Sequence, residues 1–337
     1  MLSQRLYNLG GMRGEGCDRE RGESDMEIGM IGLGRMGMNM AKRLMIGGHR
    51  VVAYNRTPRK TDILAREGAV AAYSLAELVE NLPPARVVWI MLPAGQPVDD
   101  HLDQLREILS PGDVVVDGGN TYYKDDLRRR PLLSEKGISL VDVGVSGGIW
   151  GLENGYCLTA GGPADCCREI EPVFKTLAPP GGYLYCGGTG AGHFVKMVHN
   201  GIEYGMMQAF GEGFEILEAS PYAGSLDLAE VARVWNNGSV IRSWLLELAQ
   251  DLFSRDGGLT DIEGYIEDSG EGRWAVQQAI ETGVAAPVMA LSLIRRLRSR
   301  NQAPFSDRVV TALRREFGGH SVQPASSDER EPNEAGR

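Results

Sequence analysis

The chain of 337 residues lacks most marks of a membrane, nucleic-acid-binding or metal protein. Its apolar runs, of which 87–92 is the best candidate, fall far short of the roughly 18 residues that cross a bilayer. It has no basic excess, since a net charge of −10 and a pI near 5.2 argue against nucleic-acid binding. Its five cysteines follow no metal-ligand spacing, and their odd number favours reduced thiols in a cytoplasm. We therefore expect a cytoplasmic protein with no metal site, no membrane segment and no nucleic-acid partner.

Both ends of the sequence differ from its middle. Residues 1–25 mix acidic and basic side chains without the apolar core of a signal peptide, so we predict a disordered extension there. Met26, directly before the first apolar run, is an alternative start. Residues 321–337 are polar and aperiodic, which predicts a disordered tail. The length and the 42% apolar content of the chain suggest about two domains.

Apolar runs alternate with helical patterns over the first half of the chain. Five strands are predicted, at 28–31, 51–54, 87–92, 114–117 and 140–143. Strands separated by helices form right-handed crossovers, which produce a parallel sheet covered on both faces. We therefore predict an N-terminal α/β domain, a doubly wound Rossmann-type parallel sheet, over residues 26–190. After the glycine-rich stretch 187–192 the pattern turns helical, so an all-α domain is predicted over 191–320.

A GxGxxG motif lies where the first predicted strand meets the first predicted helix. Gly32 allows the tight turn, Gly34 lets a pyrophosphate approach the backbone, and Gly37 lets the helix pack on the strand. The free N–H groups of the helix then face the phosphates. This context predicts a dinucleotide site formed by Gly32, Leu33, Gly34, Arg35, Met36 and Gly37.

The end of the second strand bears on the choice of dinucleotide. An acidic residue there binds the ribose 2′-hydroxyl of NAD, but this chain has Asn55, Arg56 and Thr57 and no carboxylate. A guanidinium at Arg56 can bind a 2′-phosphate in a bidentate manner, although it is also compatible with a solvated loop charge. NADP is therefore the predicted cofactor, with NAD as the alternative.

Five polar residues share one face of a helix that follows the glycine-rich stretch. At about 100° per residue, Lys196, His199, Asn200, Glu203 and Tyr204 fall within roughly 140° of one another. This set contains a candidate base and a candidate acid two turns apart. Taken alone, it also fits a solvated helix face; beside a dinucleotide site, it predicts a catalytic surface.

Together these motifs resemble the decarboxylating 6-phosphogluconate dehydrogenases, within the wider β-hydroxyacid dehydrogenase superfamily. The resemblance covers about residues 26–320 and is closest to a short form without the duplicated helical half. It rests on the cofactor loop and on the segments Asn55–Thr57, Asp117–Asn120, Val145–Gly148 and Lys196–Tyr204. It implies oxidative decarboxylation of 6-phospho-D-gluconate to D-ribulose 5-phosphate and CO2 in the pentose phosphate pathway.

The resemblance implies that Lys196 is the general base and Glu203 the general acid. A base must take the hydroxyl proton as the alcohol is oxidised, and a nearby cationic nicotinamide favours the neutral amine that this requires. The β-keto acid then loses CO2, because its ketone accepts the electrons and protonated Lys196 can stabilise the oxyanion. Glu203 would protonate the carbon of the enediol.

The resemblance also assigns binding roles to other residues. Asn120 would bridge cofactor and substrate, and Leu92, Pro93 and Ala94 would flank the cofactor. The remaining expected substrate contacts are Ser146, Gly147, Gly148, His199, Asn200, Tyr204, Arg298, Arg314 and His320. Arg298 is one choice within the basic run 295–300. Arg314 and His320 would come from a neighbouring subunit, which implies a homodimer or homotetramer.

One segment departs from the family pattern. Long-form members carry Lys-Gly-Thr-Gly-x-Trp, whose lysine and threonine help to bind phosphate, whereas this chain has Ser269-Gly-Glu271-Gly-Arg273-Trp274. A carboxylate at Glu271 would repel a phosphate, so this part of the family pattern does not carry over. Either the arginines and Ser269 bind the phosphate, or the substrate differs. In the second case, the alternative function is a non-decarboxylating β-hydroxyacid dehydrogenase or reductase acting on a small unphosphorylated acid.

Overall fold

A computed structural model describes residues 25–301, 304–318 and 321. Eight strands form one sheet in the order β3-β2-β1-β4-β5-β6-β7-β8. The strands are β1 (Glu27–Ile31), β2 (Arg50–Tyr54), β3 (Val70–Ala72), β4 (Val87–Ile90), β5 (Val114–Asp117), β6 (Ser139–Ser146), β7 (Cys157–Gly161) and β8 (Tyr183–Gly187). The α/β class predicted for this half of the chain is confirmed.

The sheet is parallel from β3 to β6, as predicted, but β7 pairs antiparallel with β6. A parallel return needs a crossover of a dozen residues or more, and only residues 147–156 separate β6 from β7. Strand β8 runs parallel to β7. The five predicted strands pair in parallel, as expected, but the sequence analysis predicted neither the three-residue β3 nor the last two strands, β7 and β8.

Helices cover both faces of this sheet and continue to the end of the described chain. They are α1 (Arg35–Ile46), α2 (Pro58–Ala65), α3 (Leu75–Glu80), α4 (Gln96–Ile108), α5 (Tyr123–Ser134), α6 (Gly151–Asn154), α7 (Ala164–Glu169), α8 (Glu171–Leu177), α9 (Ala191–Glu218), α10 (Leu228–Asn236), α11 (Trp244–Arg255), α12 (Glu271–Thr282), α13 (Pro287–Arg298) and α14 (Phe305–Gly318). Beyond β8 the described chain contains helices and loops only, which confirms the predicted all-α half.

Two apolar cores stabilise the α/β half. One contains Trp89 and Phe174, and the other contains Ile90 and Leu105; all four side chains are fully buried. Each such side chain contributes about 1.5–3 kcal/mol relative to an exposed one. Because both faces of the sheet are covered, the ends of the strands are left as the place for polar ligands.

The contacts divide the chain into two compact units after His199, within α9. Unit 1 contains the sheet and the first turns of α9, and unit 2 contains the rest of α9 and helices α10–α14. The predicted boundary at residues 190 and 191 coincides with the beginning of α9 rather than with this division.

None of the helices in the described part of the chain is long and apolar enough to cross a membrane. Cys157, Cys166, Cys167 and Cys186 are free thiols, as the odd cysteine count suggested. Cys17 and the predicted N-terminal extension up to residue 24 lie outside the described residues, as does the predicted tail apart from residue 321.

Candidate active site

The glycines of the cofactor loop do what their spacing predicts. Gly32 has a φ of +93°, and an added Cβ would lie 2.5 Å from the carbonyl oxygen of Met91. An added Cβ at Gly37 would collide with the carbonyl of Gly32, so helix α1 can pack on the loop only without it. At Gly34 nothing lies within 4 Å of an added Cβ. This open space at the beginning of α1 fits the pyrophosphate of a dinucleotide.

The end of β2 shapes this loop. The side-chain oxygen of Asn55 accepts a hydrogen bond of 2.9 Å from the backbone N–H of Leu33, and its amide nitrogen donates to the carbonyl of Thr57. Asn55 therefore connects the cofactor loop to the next strand. Arg56 is exposed directly beside it, at the carboxyl end of β2, where the second ribose of a dinucleotide lies in this fold.

The loop after β5 is held by Asp117, the last residue of the strand. One carboxylate oxygen accepts from the backbone N–H of Gly119 at 3.0 Å, and the other accepts from the hydroxyl of Thr121 at 2.8 Å. Between these two residues lies Asn120, at the edge of a cavity of about 290 Å³. The cavity is also lined by residues of the predicted cofactor site, namely Gly34, Met36, Gly37, Leu92 and Pro93. Asn120 and the cofactor loop thus meet at one cleft.

Helix α9 is anchored on strand β6 by its first turn. The carboxylate of Asp142 accepts from the backbone N–H of Gly190 at 2.6 Å and from that of His193 at 2.9 Å. A carboxylate in this position also interacts favourably with the helix dipole. Two residues further along β6, an added Cβ at Gly144 would collide with the Cβ of Lys196. The helix therefore lies directly on the strand at the residue expected to act as base.

The Ser146–Gly148 loop continues from this contact. Residues 142, 144 and 146 point to the same face of β6, because side chains alternate along a strand. Ser146 is thus about 6–7 Å along that face from the site of Lys196 packing. Gly147 and Gly148 have φ angles of +136° and +56°, which favour glycine, and nothing lies within 4 Å of an added Cβ at Gly148. The carboxylate-binding role predicted for this loop is sterically open.

A buried ion pair beneath α9 was not foreseen. The ring Nδ1 of His193 lies 2.7 Å from the Asp126 carboxylate, and both side chains are fully buried. Burial acts to lower the pKa of His193, but Asp126, Asp117 and Asp142 outweigh it and raise the pKa to about 10. Burial raises the pKa of Asp126 to about 7, against the opposing effect of His193. Arg129, also buried, lies 3.4 Å from Asp117 and supplies further positive charge to the group.

Along α9, the five residues of the predicted face differ in exposure. The Nζ of Lys196 lies 3.5 Å from Nδ1 of His199, and His199 is exposed. Asn200 and Tyr204 are buried, and Glu203 is partly buried. A solvated helix face would not bury an amide and a phenol, so the solvated-face alternative does not hold for Asn200 and Tyr204.

The surroundings of Glu271 differ from the sequence-based expectation of a carboxylate that faces the substrate phosphate. Its side chain is only 4% exposed, and its Oε1 accepts a hydrogen bond of 2.8 Å from the amide nitrogen of Asn200. Next to it, an added Cβ at Gly272 would collide with the ring of Tyr204, and Ser269 Oγ lies 3.4 Å from the Tyr204 hydroxyl. The segment 269–272 therefore packs on Asn200 and Tyr204. Sequence reasoning noted Glu271 but not its partner.

The basic residues of unit 2 fall into different surroundings. The guanidinium of Arg296 lies 3.4 Å from the centre of the Tyr204 ring, as a cation–π contact. Arg298 pairs with Asp307 at 2.9 Å and also donates to the carbonyl of Asn301. Arg314 is exposed on α14, and His320 lies outside the described residues.

Two consecutive segments of the sequence match two domain families. Residues 27–188 match the NAD-binding domain of 6-phosphogluconate dehydrogenase, and residues 192–331 match the C-terminal domain of the same enzyme. These ranges agree with the order of the two predicted domains. They also place the end of the cofactor-binding part just before α9.

Individual proteins extend this match over nearly the whole chain. A Bacillus subtilis protein provisionally assigned as a 6-phosphogluconate dehydrogenase, YqeC, is 45% identical over 88% of this chain and 99% of its own. The NAD(+)-dependent decarboxylating 6-phosphogluconate dehydrogenase of Haloferax volcanii is 44% identical over 88% of this chain and 98% of its own.

A solved structure gives the same relationship at lower identity. Plasmodium falciparum 6-phosphogluconate dehydrogenase, studied without ligand, with NADP+ and with 6-phosphogluconate, has a TM-score of 0.74 and 28% identity. It covers 90% of this chain, which in turn spans 67% of the Plasmodium chain. The chain therefore belongs to the 6-phosphogluconate dehydrogenase family and is an NAD(P)-dependent oxidoreductase.

Proposed function

We propose that this chain oxidises and decarboxylates 6-phospho-D-gluconate to D-ribulose 5-phosphate and CO2, with NADP as the preferred oxidant. The observation that supports it most is the position of Lys196. Its helix lies on β6 at Gly144, beside the Ser146–Gly148 loop and in the same unit as the cofactor cleft. A base at this point can reach a hydroxyl of an acid whose carboxylate binds the loop.

When bound, the nicotinamide accepts the hydride that leaves the substrate carbon. The chain's contribution is to hold the pyrophosphate at the beginning of α1 and to let Asn120 reach the cleft. Arg56 would bind the 2′-phosphate, although the Haloferax relative is NAD(+)-dependent. Replacing Arg56 by alanine should raise the KM for NADP and leave that for NAD nearly unchanged. Equal effects on both cofactors would contradict the proposed role of Arg56.

Proton transfers would be divided between two residues of α9. Lys196 takes the hydroxyl proton during oxidation and returns it to the ketone oxygen as CO2 departs. Glu203, partly buried two turns later, then donates a proton to the carbon of the enediol. His199 and Asn200, on the same helical face, would orient the sugar hydroxyls.

The phosphate end of the substrate would lie at Tyr204. Arg296 is the cation in contact with that ring, so we propose Arg296 rather than Arg298 as the substrate arginine. Arg298 already pairs with Asp307. Arg314 and His320 of a second copy would complete the phosphate site.

The second candidate is a non-decarboxylating β-hydroxyacid dehydrogenase, which the carboxylate of Glu271 favoured at the level of sequence. That carboxylate is buried and accepts a hydrogen bond from Asn200, so it does not lie on the protein surface. The electrostatic argument against a phosphorylated substrate is therefore weaker than the sequence suggested.

A direct assay separates the two candidates. Purified protein is incubated with 6-phosphogluconate and NADP while both NADPH and CO2 are measured, with gluconate and 3-hydroxyisobutyrate as controls. We expect equal amounts of NADPH and CO2 from 6-phosphogluconate and little turnover of the controls. NADPH without CO2, or a preference for an unphosphorylated acid, would support the second candidate.

A second copy of the chain is part of the proposal. Helix α13 exposes Val288, Leu291 and Ile294 along one face, and α14 exposes Phe305, Val310 and Leu313. Unit 2 also has a cavity of about 470 Å³ lined mainly by apolar residues, including Phe210 and Leu252, together with Glu215 and Glu218. Apolar surface of this extent is typical of subunit interfaces. We expect a homodimer or homotetramer in solution.

A further inference from the structure

The environment of Glu271 is unusual for an acidic side chain. It is the first residue of α12, follows Gly270 with a φ of +106°, and is 4% exposed. A carboxylate withdrawn from water is unfavourable unless hydrogen bonds and nearby positive charge compensate for the loss of hydration. Here the helix N-terminus and the amide of Asn200 offer that compensation. An acid kept in such a place suggests a role that a neutral residue does not fulfil.

The contact determines how the Asn200 amide is oriented. The NH2 group of Asn200 faces Glu271 and donates to its Oε1, and a carboxylate oxygen accepts such a bond. The carbonyl oxygen of a planar amide then points about 120° away from the nitrogen. A threonine or glutamine could both donate and accept, and would allow the amide to turn over. Glu271 thus selects one of the two orientations of the Asn200 amide, which would otherwise be similar in energy.

The same segment also contacts Tyr204, the next buried residue of the α9 face. Gly272 lies against the Tyr204 ring with no room for a Cβ, and Ser269 approaches its hydroxyl. Asn200 lies one turn after Lys196, so the two side chains are neighbours on the helix surface. Fixing Asn200 therefore affects a residue beside the proposed base.

We propose that Glu271 is a positioning residue that holds the Asn200 amide in the orientation used to bind the substrate. In this chain the third position of the Ser269–Trp274 motif would serve Asn200, rather than the substrate phosphate. The inference rests on the proposed function, since it assumes that Asn200 contacts the sugar acid. It goes beyond that function by assigning a role to the residue that departs from the long-form pattern.

Substitution of Glu271 by glutamine tests this role with almost no change in volume. We expect kcat/KM for 6-phosphogluconate to fall about tenfold or more, the equivalent of one misplaced hydrogen bond. The KM for NADP and the melting temperature should stay close to wild type, because the fold loses a buried charge and no packing. Glu271→Thr introduces the threonine that long-form family members have at this position, and it should lower kcat/KM at least as much. Glu281→Gln, at the exposed end of the same helix, is the control with the same change of charge.

A double-mutant cycle with Asn200→Ala shows whether Glu271 acts through Asn200. We expect Glu271→Gln to add less than about twofold to the loss already caused by Asn200→Ala. Full activity of Glu271→Gln, or an undiminished loss in the Asn200→Ala background, would overturn the inference. A fall in melting temperature that accounts for the lost activity would also overturn it, since that indicates a purely structural residue.

The wild-type control separates this inference from the proposed function. If wild type does not oxidise 6-phosphogluconate but oxidises another hydroxy acid, the proposed function fails and the cycle is run with that acid. If wild type oxidises 6-phosphogluconate and the cycle is additive, only the role of Glu271 fails. If wild type oxidises no acid tested, both are overturned.

Discussion

The two units bury their apolar side chains to very different extents. Unit 1 has two extended cores on the two faces of its sheet, with residues such as Trp89 and Leu105 fully buried. The core of described residues in unit 2 centres on Phe214, Ala232 and Leu246. Helices α13 and α14 meanwhile expose apolar faces to solvent. Unit 1 has the buried cores of a self-sufficient domain, whereas unit 2 leaves apolar helix faces exposed, which we propose that a second copy covers.

The units also differ in how they would contribute to the reaction. Unit 1 holds the cofactor cleft and Lys196, and unit 2 holds Asn200, Glu203 and Tyr204. Helix α9 belongs to both. Substitutions in unit 1 should therefore separate cofactor binding from chemistry, and substitutions in unit 2 should separate folding from association.

The largest effect is expected from Lys196→Met in unit 1. Loss of a general base typically lowers the rate by about 10²–10⁴-fold, and here the same amine also assists decarboxylation. Turnover of 6-phosphogluconate should be nearly abolished, while NADP affinity, measured by fluorescence titration, stays close to wild type. Lys136→Met, an exposed lysine of the same unit, is the control. Substantial residual oxidation would refute the role of Lys196 as base.

The glycines of the cofactor loop offer a paired test within unit 1. Gly37→Ala should lower the free energy of unfolding by about 1–3 kcal/mol, because the added methyl collides with the carbonyl of Gly32. Gly34→Ala should leave unfolding almost unchanged, since nothing lies within 4 Å of the new Cβ, but should weaken dinucleotide binding. Chemical denaturation and cofactor titration of both variants check this. Unchanged cofactor affinity in Gly34→Ala would place the pyrophosphate elsewhere.

A charge on the apolar face of unit 2 tests whether that face is an interface. Ile294→Glu, on α13, should shift the protein from an oligomer toward monomers in sedimentation and reduce its activity. The matched change in unit 1, Ile46→Glu, replaces a still more exposed isoleucine on α1 and should leave the oligomeric state unaltered. A wild-type protein that is monomeric and fully active would contradict the proposed association.

The smallest effect on activity is expected from a pH dependence of stability in unit 1. The folded state raises the pKa of His193 to about 10, so its contribution is complete below about pH 6.5 and lost as pH rises through 10. The raised pKa of Asp126, about 7, makes stability fall as pH rises toward that value and adds no further decline above it. Stability should therefore decline between pH 7 and 10, by no more than about 1.4 kcal/mol per pH unit for each proton released.

Asp126→Asn checks the source of this decline. It removes the main partner that keeps His193 protonated, so stability should depend much less on pH over the same range. Asp125→Asn, a partly exposed neighbour, should retain the wild-type slope in urea unfolding measured from pH 7 to 10. Equal slopes in all three proteins would show that other groups cause the decline.

Sequence reasoning succeeded where the signal is local. The roles of Gly32 and Gly37 follow from backbone sterics, and the order of strands and helices follows from apolar periodicity. It failed for the three-residue β3, which is too short to show a period, and for the antiparallel β7, whose residues Cys157–Gly161 form no continuous apolar run. Acidic and histidine residues were visible at Asp126 and His193, but no spacing rule connects positions 67 residues apart.

The sequence by itself determined that a dinucleotide-binding loop precedes a helix with a lysine, an asparagine and a glutamate on one face. Backbone geometry and side-chain periodicity depend on a few neighbouring residues, so they can be predicted from the sequence. Which side chains meet was decided by tertiary packing. Folding places Glu271 in contact with Asn200, although the two residues are 71 positions apart in the sequence. Glu271 is therefore interpreted as a hydrogen-bond acceptor for Asn200 rather than as a charge that repels phosphate. Burying a carboxylate is favourable only where the fold supplies its donors, and that supply exists only once the chain has folded.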